Sequence, residues 1–201
     1  MPLDRHRIVD EALRLVDESG LDALSLRSLA GRLDVRAPTL YWHVQNKSEL
    51  LDALADEIMD GAIDSARRIS VPGDARAWLL EALGGLRSAM LGHRDGARIV
   101  SGSRNSMRRA DFSELAMATL VAGGLALRRA RLLVLVGERY TVGWVLEEQA
   151  PAPESPAPDL DVLRARLPTV TAAIADYFDG TGRGADDLYR DGARLLLGLA
   201  N

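Results

Sequence analysis

The chain has 201 residues and no cysteine, which excludes disulfide bonds and thiolate metal sites. Aromatic residues make up only 4% of it and hydrophobic residues 47%, so the core must be built from aliphatic side chains. No apolar run approaches the roughly 18 residues of a membrane span, and the N-terminal segment is charged, unlike a signal peptide. With three histidines, neither a catalytic triad nor a metal cluster suggests itself. We expect a cytoplasmic protein with no catalytic residues, metal site, cofactor or membrane contact.

Apolar residues recur at helical spacing over nearly the whole chain, and no segment alternates with the period of two that is typical of strands. The pattern predicts an all-α protein. The predicted helices cover residues 5–19, 26–33, 37–44, 46–69, 74–91, 96–100, 109–123, 127–149, 160–178 and 185–199. Four prolines within residues 150–158 predict an extended loop there.

Residues 25–47 are the most informative part of the chain. They predict two short helices joined by a tight turn at residues 34–36, which is a helix-turn-helix whose second helix can enter the major groove of DNA. Pro38 falls near the first position of that second helix, where its missing N–H costs little. Leu40 and Val44 can face the core, so the other side chains of this helix are expected to point outward.

The second helix is expected to expose aromatic side chains. A free-standing domain gains nothing from Tyr41 and Trp42 in water, whereas a DNA groove and phosphate backbone supply partners for them. The alternative is an amphipathic helix whose aromatic rings fold back onto the core. Residues 25–48 carry four cations and one anion, although the net charge of the chain is −4. An acidic remainder would suppress non-specific DNA binding, because phosphate neutralisation supplies most of that affinity.

The helix over residues 46–69 is expected to connect two domains. Asn46 precedes Glu49 by three positions, which predicts a capped helix start. We expect a DNA-binding domain over residues 1–50 and a larger helical domain over residues 70–201, to which the family resemblance described below assigns effector binding and dimerisation.

Two helices of the larger domain, residues 127–149 and 185–199, are apolar on several sides. A helix that is hydrophobic all round is either central to a core or shared with a partner. In a chain this short, the pattern predicts a four-helix interface between two identical subunits. Burial of both helices within one subunit is the alternative.

The segment 24–50 resembles the DNA-binding head of the tetracycline-repressor (TetR) family of bacterial transcriptional regulators. The likeness lies in Pro-Thr-Leu-Tyr-Trp-His-Val at 38–44, Asn-Lys at 46–47 and Leu-Leu-Asp-Ala-Leu at 50–54. It continues into the larger domain through residues 93–97, 102–104 and 143–149. The resemblance implies an N-terminal three-helix helix-turn-helix domain followed by a larger helical domain that binds an effector and forms a homodimer.

The resemblance also implies a set of DNA-facing residues by position. They are Arg27, Arg36, Ala37, Pro38, Thr39, Tyr41, Trp42, His43 and Lys47. Arg27 and Arg36 are the best candidates for base edges, since a guanidinium can read guanine with two hydrogen bonds, and Lys47 would bind phosphate. Asp34 stands where the family usually has glycine, and aspartate tolerates the left-handed backbone. Arg36 and Ala37 depart from the pattern, so the operator sequence is expected to differ.

The implied effector pocket departs further from the family pattern. Its residues are Ile63, Ala82, Leu86, Val100, Ser103, Arg104, Asn105, Ala116 and Glu147. In family members that bind a magnesium–tetracycline chelate, a histidine stands at the position of Val100. Polar residues stand at the positions of Ile63, Ala82 and Ala116, and an aromatic residue stands at the position of Leu86. Loss of the imidazole disfavours metal binding, and loss of hydrogen-bonding groups favours a more apolar ligand.

Together these observations predict a repressor that binds a palindromic operator as a homodimer and is released by an unidentified, fairly apolar small molecule other than magnesium–tetracycline. Two alternatives stay open: activator output from the same architecture, and a non-catalytic protein-binding adaptor. The adaptor leaves the exposed aromatics unexplained.

An enzyme is the main alternative of a different class. His93-Arg94-Asp95 superficially resembles the catalytic loop of protein kinases, but the chain has no glycine-rich loop, partner lysine or Asp-Phe-Gly segment. We expect His93 instead to be a buried helix-end residue bonded to backbone carbonyls. Glu147 could equally be a solvent-exposed residue at a helix end.

Overall fold

Helices form the regular secondary structure of the chain. The computed structural model describes residues 3–70, 73–152, 154, 159–178, 180 and 182–200, and among these residues there is no strand. The helices are α1 (Arg5–Ser19), α2 (Leu26–Arg32), α3 (Ala37–Leu40), α4 (Lys47–Arg67), α5 (Ala75–Leu91), α6 (Gly96–Gly102), α7 (Met107–Ala122), α8 (Leu127–Glu148), α9 (Leu160–Arg166), α10 (Pro168–Phe178) and α11 (Ala185–Leu197). The predicted all-α fold is confirmed.

Two predicted helices differ from the observed ones. The helix expected over 37–44 ends at Leu40, and residues 41–43 form a turn in which the N–H groups of His43 and Val44 both donate to the Leu40 carbonyl. The helix expected over 160–178 is two helices, α9 and α10, that meet at Pro168. Proline lacks an N–H and its ring clashes with the preceding turn, so a new helix begins at this residue.

By compactness the chain divides into two units, Met1–Gln149 and Ala150–Asn201. In the first unit, α1 to α3 and the start of α4 form a small head with a core of aliphatic side chains. The fully enclosed members of that core include Ile8, Leu24, Leu29, Leu40, Leu50 and Leu54. The predicted functional boundary, residues 1–50 and 70–201, stays a prediction, because α4 packs against α1 as well as against α5, α6 and α7.

The rest of the first unit is a layered bundle. Helix α4 packs against α5, α6 and α7, and α8 packs against the same three helices. Gly137 allows α8 to approach α5 closely: a Cβ atom there would lie 2.7 Å from Leu83 Cδ1. Leu79, Leu83 and Phe112 are enclosed in this bundle.

The second unit contains α9, α10 and α11. The Tyr177 hydroxyl on α10 donates to Asp191 Oδ2 on α11 at 2.8 Å, and the Arg183 guanidinium lies 4.9 Å from the Tyr177 ring centroid. Helices α9 and α10 bury no residue, and Leu195 on α11 is exposed. Most of the predicted loop, residues 153 and 155–158, lies outside the described residues. In the described part of the chain, no helix is long and apolar enough to cross a membrane.

Candidate functional site

The turn between α2 and α3 is held by local hydrogen bonds. Ser25 and Ser28 cap α2 reciprocally, each backbone N–H donating to the other's hydroxyl at 3.0 Å. After α2, the N–H of Val35 donates to the Ala30 carbonyl at 3.0 Å, and Asp34 takes φ 53°. The prediction that Asp34 accepts a left-handed backbone is confirmed.

In the segment from α3 to Val44, some side chains are buried in the core and others lie on the surface. Leu40 and Val44 are fully enclosed, whereas Trp42 is 89% exposed and Tyr41 53% exposed. The alternative in which these aromatic rings fold back onto the core is therefore excluded. The predicted DNA-facing residues are all exposed or, for Ala37 and His43, half-buried.

The helix-turn-helix has less unpaired positive charge than its sequence indicates. Arg32, one of the four cations of the segment, donates to Glu11 at 2.6 Å and to Glu18, so its charge holds α2 to α1. Arg27, Arg36 and Lys47 make no salt bridge within the described chain. We call the exposed set Arg27, Arg36, Thr39, Tyr41, Trp42 and Lys47 the recognition surface.

Lys47 is presented by the capped start of α4. Asn46 Oδ1 accepts from the N–H of Glu49 at 2.9 Å, which confirms the predicted cap. The return bond differs from the usual capping box, since Glu49 Oε2 accepts from the N–H of Gln45 at 2.8 Å. The first residue of α4 therefore has a fixed position beside the end of the helix-turn-helix.

The head is bound to the bundle by a charged cluster at the turn between α5 and α6. Asp95 accepts from the N–H of Leu21 at 2.8 Å, and Arg98 bridges Asp22 at 2.8 Å and Asp95 at 3.0 Å. His93 Nδ1 lies 3.2 Å from Asp17 Oδ2. The expectation of a buried His93 bonded to backbone carbonyls is wrong, because Asp17 on α1 offers a carboxylate at this half-buried position.

A second link joins α4 to the segment after α6. Asp52 Oδ1 accepts from the Ser103 hydroxyl at 2.7 Å and from the N–H groups of Arg104 and Asn105 at 3.0 and 3.1 Å. Burial raises the pKa of Asp52, but these hydrogen bonds outweigh it and hold the pKa below its usual value. The end of α6 is thereby attached to the helix that leads into the head.

Two further carboxylates continue this link along α4. Asp56 accepts from the Ser106 hydroxyl at 2.6 Å, and Asp60 pairs with Arg108 Nε at 2.9 Å. Asp52, Asp56 and Asp60 lie one helical turn apart, and we call them the carboxylate row. Together they fix residues 103–108 against α4.

The predicted effector residues fall into two groups. Five apolar ones are buried in the bundle: Ile63, Ala82, Leu86, Val100 and Ala116. Ser103 is buried and bound to Asp52, whereas Arg104, Asn105 and Glu147 are exposed. No cluster of three or more potential metal ligands occurs among the described residues.

A buried polar group that the sequence analysis missed lies in the bundle. Glu138 on α8 is 6% exposed, and the Ser113 hydroxyl on α7 donates to its Oε1 at 2.5 Å. Burial raises the pKa of Glu138, although the Ser113 hydrogen bond and the charges of Arg109 and Arg139 oppose that effect. The sequence contained a signal for the burial of Glu138. This residue follows Val134 by four positions, so it lies on the same buried stripe of α8.

Comparisons with known proteins agree with this architecture. Residues 8–54 match the model for bacterial regulatory proteins of the tetR family, and residues 72–200 match the tetracyclin repressor-like C-terminal domain. The class A tetracycline repressor protein from transposon 1721 of Escherichia coli is 34% identical over 200 residues, which cover 98% of this chain and 91% of that protein.

Two solved structures are similar over nearly the whole chain. A possible TetR-family transcriptional regulator from Streptomyces coelicolor A3(2) is 33% identical, with a TM-score of 0.78 and 97% of each chain covered. The Q116A variant of TetR from Acinetobacter baumannii AYE, solved in complex with minocycline, is 32% identical, with a TM-score of 0.73 and coverage of 98% of this chain and 96% of that one.

These relatives are transcriptional regulators, and no catalytic family is indicated. The two matched models together account for the head and for the larger helical part, and the identity extends across most of the sequence. The chain belongs to the TetR family of DNA-binding helix-turn-helix transcriptional regulators.

Proposed function

We propose that this protein is a repressor that binds a palindromic operator as a homodimer and is released when a small molecule binds its larger helical part. The observation that carries the proposal is the exposure of Trp42 and Tyr41 on the helix-turn-helix, beside three cations without salt bridges in the described chain. Such side chains find partners in a DNA groove and on phosphates.

The residues of the recognition surface take different roles. Arg27 and Arg36 suit base edges, because a guanidinium can bond two guanine acceptors at once. Lys47 is the first residue of α4, so its ammonium and the N-terminal end of that helix dipole would act on the same phosphate. Thr39 and His43 supply shorter polar groups that suit backbone contacts.

A homodimer supplies the two heads that a palindrome requires. On α8, the exposed apolar residues Leu132, Val136 and Leu146 recur near helical spacing, with exposed Gly143 between them. An apolar stripe of this kind on a helix surface favours burial against a second helix. The two heads of such a dimer must lie about 34–36 Å apart to enter successive major grooves.

Release would use the links between head and bundle. The end of α6 is bound to Asp52 on α4, so a ligand that moves α6 would alter the position of the head. Coupling of about 1–3 kcal/mol changes affinity by roughly 5- to 150-fold, which is enough to switch operator occupancy.

The effector is proposed to differ from magnesium–tetracycline. The relatives named as tetracycline repressors, and the neighbour solved with minocycline, make that chelate the first ligand to test. In this chain Val100, Ala116 and Ile63 offer no ligating or hydrogen-bonding side-chain atom in the buried group. Calorimetric titration should detect no binding of magnesium–tetracycline at micromolar concentration, and micromolar or tighter binding would refute this part of the proposal.

Selection of bound fragments from a random pool of duplex DNA tests the operator proposal. The intact protein should enrich one palindromic sequence, and Trp42→Ala should lose at least about tenfold in affinity for it, the range of a good base or groove contact. Arg68→Ala is the matched control, because Arg68 is exposed at the opposite end of α4. A pool that shows no enrichment with the intact protein would overturn the proposed function.

A further inference from the structure

Glu138 is an acidic side chain buried in a bundle whose core is mostly aliphatic. Its neighbours along the buried stripe of α8 are Val134, Gly137, Thr141 and Val142. In the described chain its one hydrogen bond is the one from Ser113 to Oε1, and no cation forms a salt bridge with it. A carboxylate enclosed in this way is costly unless it is paired.

The second carboxylate oxygen of Glu138 has room for a partner. Within the described residues Oε2 accepts no hydrogen bond, and none of their side-chain nitrogens or oxygens is both sealed from solvent and without a partner. Oε2 therefore keeps some solvent-accessible surface, although Glu138 as a whole is buried. An ionised carboxylate can accept at about four positions, so most of its capacity is unused.

The nearest cation is directed elsewhere. Arg109 on α7 donates from Nη1 to the Val100 carbonyl at 3.3 Å, and its charge reaches Glu138 only at longer range. Arg139, the next residue on α8, is exposed. Among the described residues, no basic side chain therefore forms a salt bridge with Glu138, although the charges of Arg109 and Arg139 act on it from a distance.

Glu138 is also linked through α7 to two of the predicted effector residues. Ser113, its hydrogen-bond donor, precedes buried Ala116 by three positions, so both lie on one face of α7. Arg109, on the same face, bonds the carbonyl of Val100. A polar group with perturbed ionisation at a predicted ligand site is a candidate for ligand recognition.

We propose that Glu138 selects the effector of this regulator, and that the effector is an apolar molecule bearing a protonated amine or another cationic N–H donor that binds Oε2. This inference rests on the proposed function, since it names the ligand class of the same regulatory site. It refines the expectation of a merely apolar effector. A charge-assisted N–H to carboxylate bond is about twice as strong as a neutral one, and ligand binding would supply the missing partner.

Fluorescence titration with monodansylcadaverine tests the proposal. This probe joins an apolar fluorophore to a primary ammonium group, and its N-acetylated form has the same body without the charge. The parent protein should bind the amine at least about tenfold more tightly than the acetylated form, as expected for a charge-assisted bond in a partly enclosed site. The variant Glu138→Gln should bind both forms equally.

Two further variants separate recognition from structure. Glu138→Asp keeps the charge and should retain part of the preference for the amine, which a purely structural role would not predict. Glu114→Gln removes an exposed carboxylate from α7 and should leave the preference unchanged. Circular dichroism establishes that each variant is folded before titration.

The proposal is overturned if the amine binds no better than its acetylated form, whether both bind or neither does. It is also overturned if folded Glu138→Gln keeps the preference. Operator selection by the parent protein does not depend on the probes, so a protein that selects an operator but is indifferent to the ammonium group refutes this inference alone. Failure to select any operator refutes the proposed function whatever the probes show.

Discussion

The functional importance of single residues in this protein depends on whether the fold exposes or buries their polar and aromatic side chains. Trp42 lies in solvent on the helix-turn-helix, and Arg36 and Lys47 lie near it without salt bridges in the described chain. Glu138 is the opposite case, an acid enclosed in the bundle with one hydrogen bond. Both situations are unfavourable for an isolated chain, and in our account a ligand compensates each: DNA for the first and a cation for the second.

Arg36 and Lys47 should respond differently to substitution. Arg36→Ala should cost about 1–3 kcal/mol of operator affinity and relax the preference at one base pair, since it removes a base contact. Lys47→Ala should weaken binding to all sequences alike and reduce the salt slope by about 1, since it removes a phosphate contact. Binding isotherms on the selected operator and its single-base variants, measured at several salt concentrations, distinguish the two. Identical profiles for the two variants would contradict the assigned roles.

Ionisation of Glu138 should lower the free energy of unfolding as the pH rises. Burial raises its pKa in the folded state, so the folded protein holds the proton more tightly than the unfolded chain does. The resulting stabilisation is complete below the unfolded pKa of about 4.3 and is lost as the pH rises through the folded pKa. Glu138→Gln, which cannot ionise, should therefore melt a few degrees above the parent at neutral pH and level with it at about pH 4.

Thermal melting followed by circular dichroism across that pH range measures this difference. The described charged groups that act on Glu138 are Arg109 on α7 and Arg139 on α8. Glu114→Gln again serves as the control. A variant that melts below the parent at neutral pH would show that the carboxylate is stabilising where it lies.

At the scale of helices, carboxylate side chains attach the head to the bundle. The carboxylate row on α4 binds residues 103–108, and Asp95 and Arg98 bind Leu21 and Asp22, which follow α1. These contacts join residues 48 to 76 positions apart in sequence, so the end of α6 and the start of α7 are attached to α4.

Asp52→Asn tests the strongest of these contacts. The pKa of Asp52 is lowered in the folded state, so its stabilisation is present above the unfolded pKa of about 3.9 and is lost as the pH falls through the folded pKa. The variant should lose about 1–3 kcal/mol of stability at neutral pH, the value of hydrogen bonds to a charged group, and should approach the parent in acid. Melting of Asp52→Asn beside Asp64→Asn, an exposed change on the same helix, checks this. If Asp52→Asn melted at the same temperature as the parent at neutral pH, the result would contradict this prediction.

The sequence predicted local features such as helix caps and turns better than it predicted the side-chain contacts between helices. The cap at Asn46 and the left-handed turn at Asp34 could be predicted because each depends on a few neighbouring residues. The contacts of Asp52 depend on partners 51 to 53 residues away, and the contact of Arg32 with Glu11 spans 21 residues, which no spacing rule supplies. Glu138 was missed because a charged residue on an apolar stripe is usually assigned to the surface.

At the scale of the whole molecule, the proposed function requires two copies of the chain. Each head would read one half of a palindrome, and the exposed apolar stripe of α8 is the surface proposed for pairing. The four-helix interface formed by α8 and α11 stays a prediction, as does the functional boundary within α4.

Val136→Arg tests the dimer through α8. Val136 is 45% exposed on the stripe, and a charge there should convert the dimer into monomers and reduce operator affinity by at least about tenfold, since one head then binds without the other. Val170→Arg is the control, because Val170 on α10 is 52% exposed outside the stripe. Sedimentation at micromolar concentration measures the mass. A Val136→Arg protein that stays dimeric would place the interface elsewhere.

The central claim, that the outward aromatic side chains of the helix-turn-helix meet DNA, can be measured at Trp42 itself. With Trp78 and Trp144 replaced by phenylalanine, acrylamide quenching reports the exposure of Trp42 alone. We predict strong quenching in the free protein and marked protection when the selected operator is added, but not when an unrelated duplex is added. Equal quenching with and without operator, at concentrations where the complex is formed, would contradict the account.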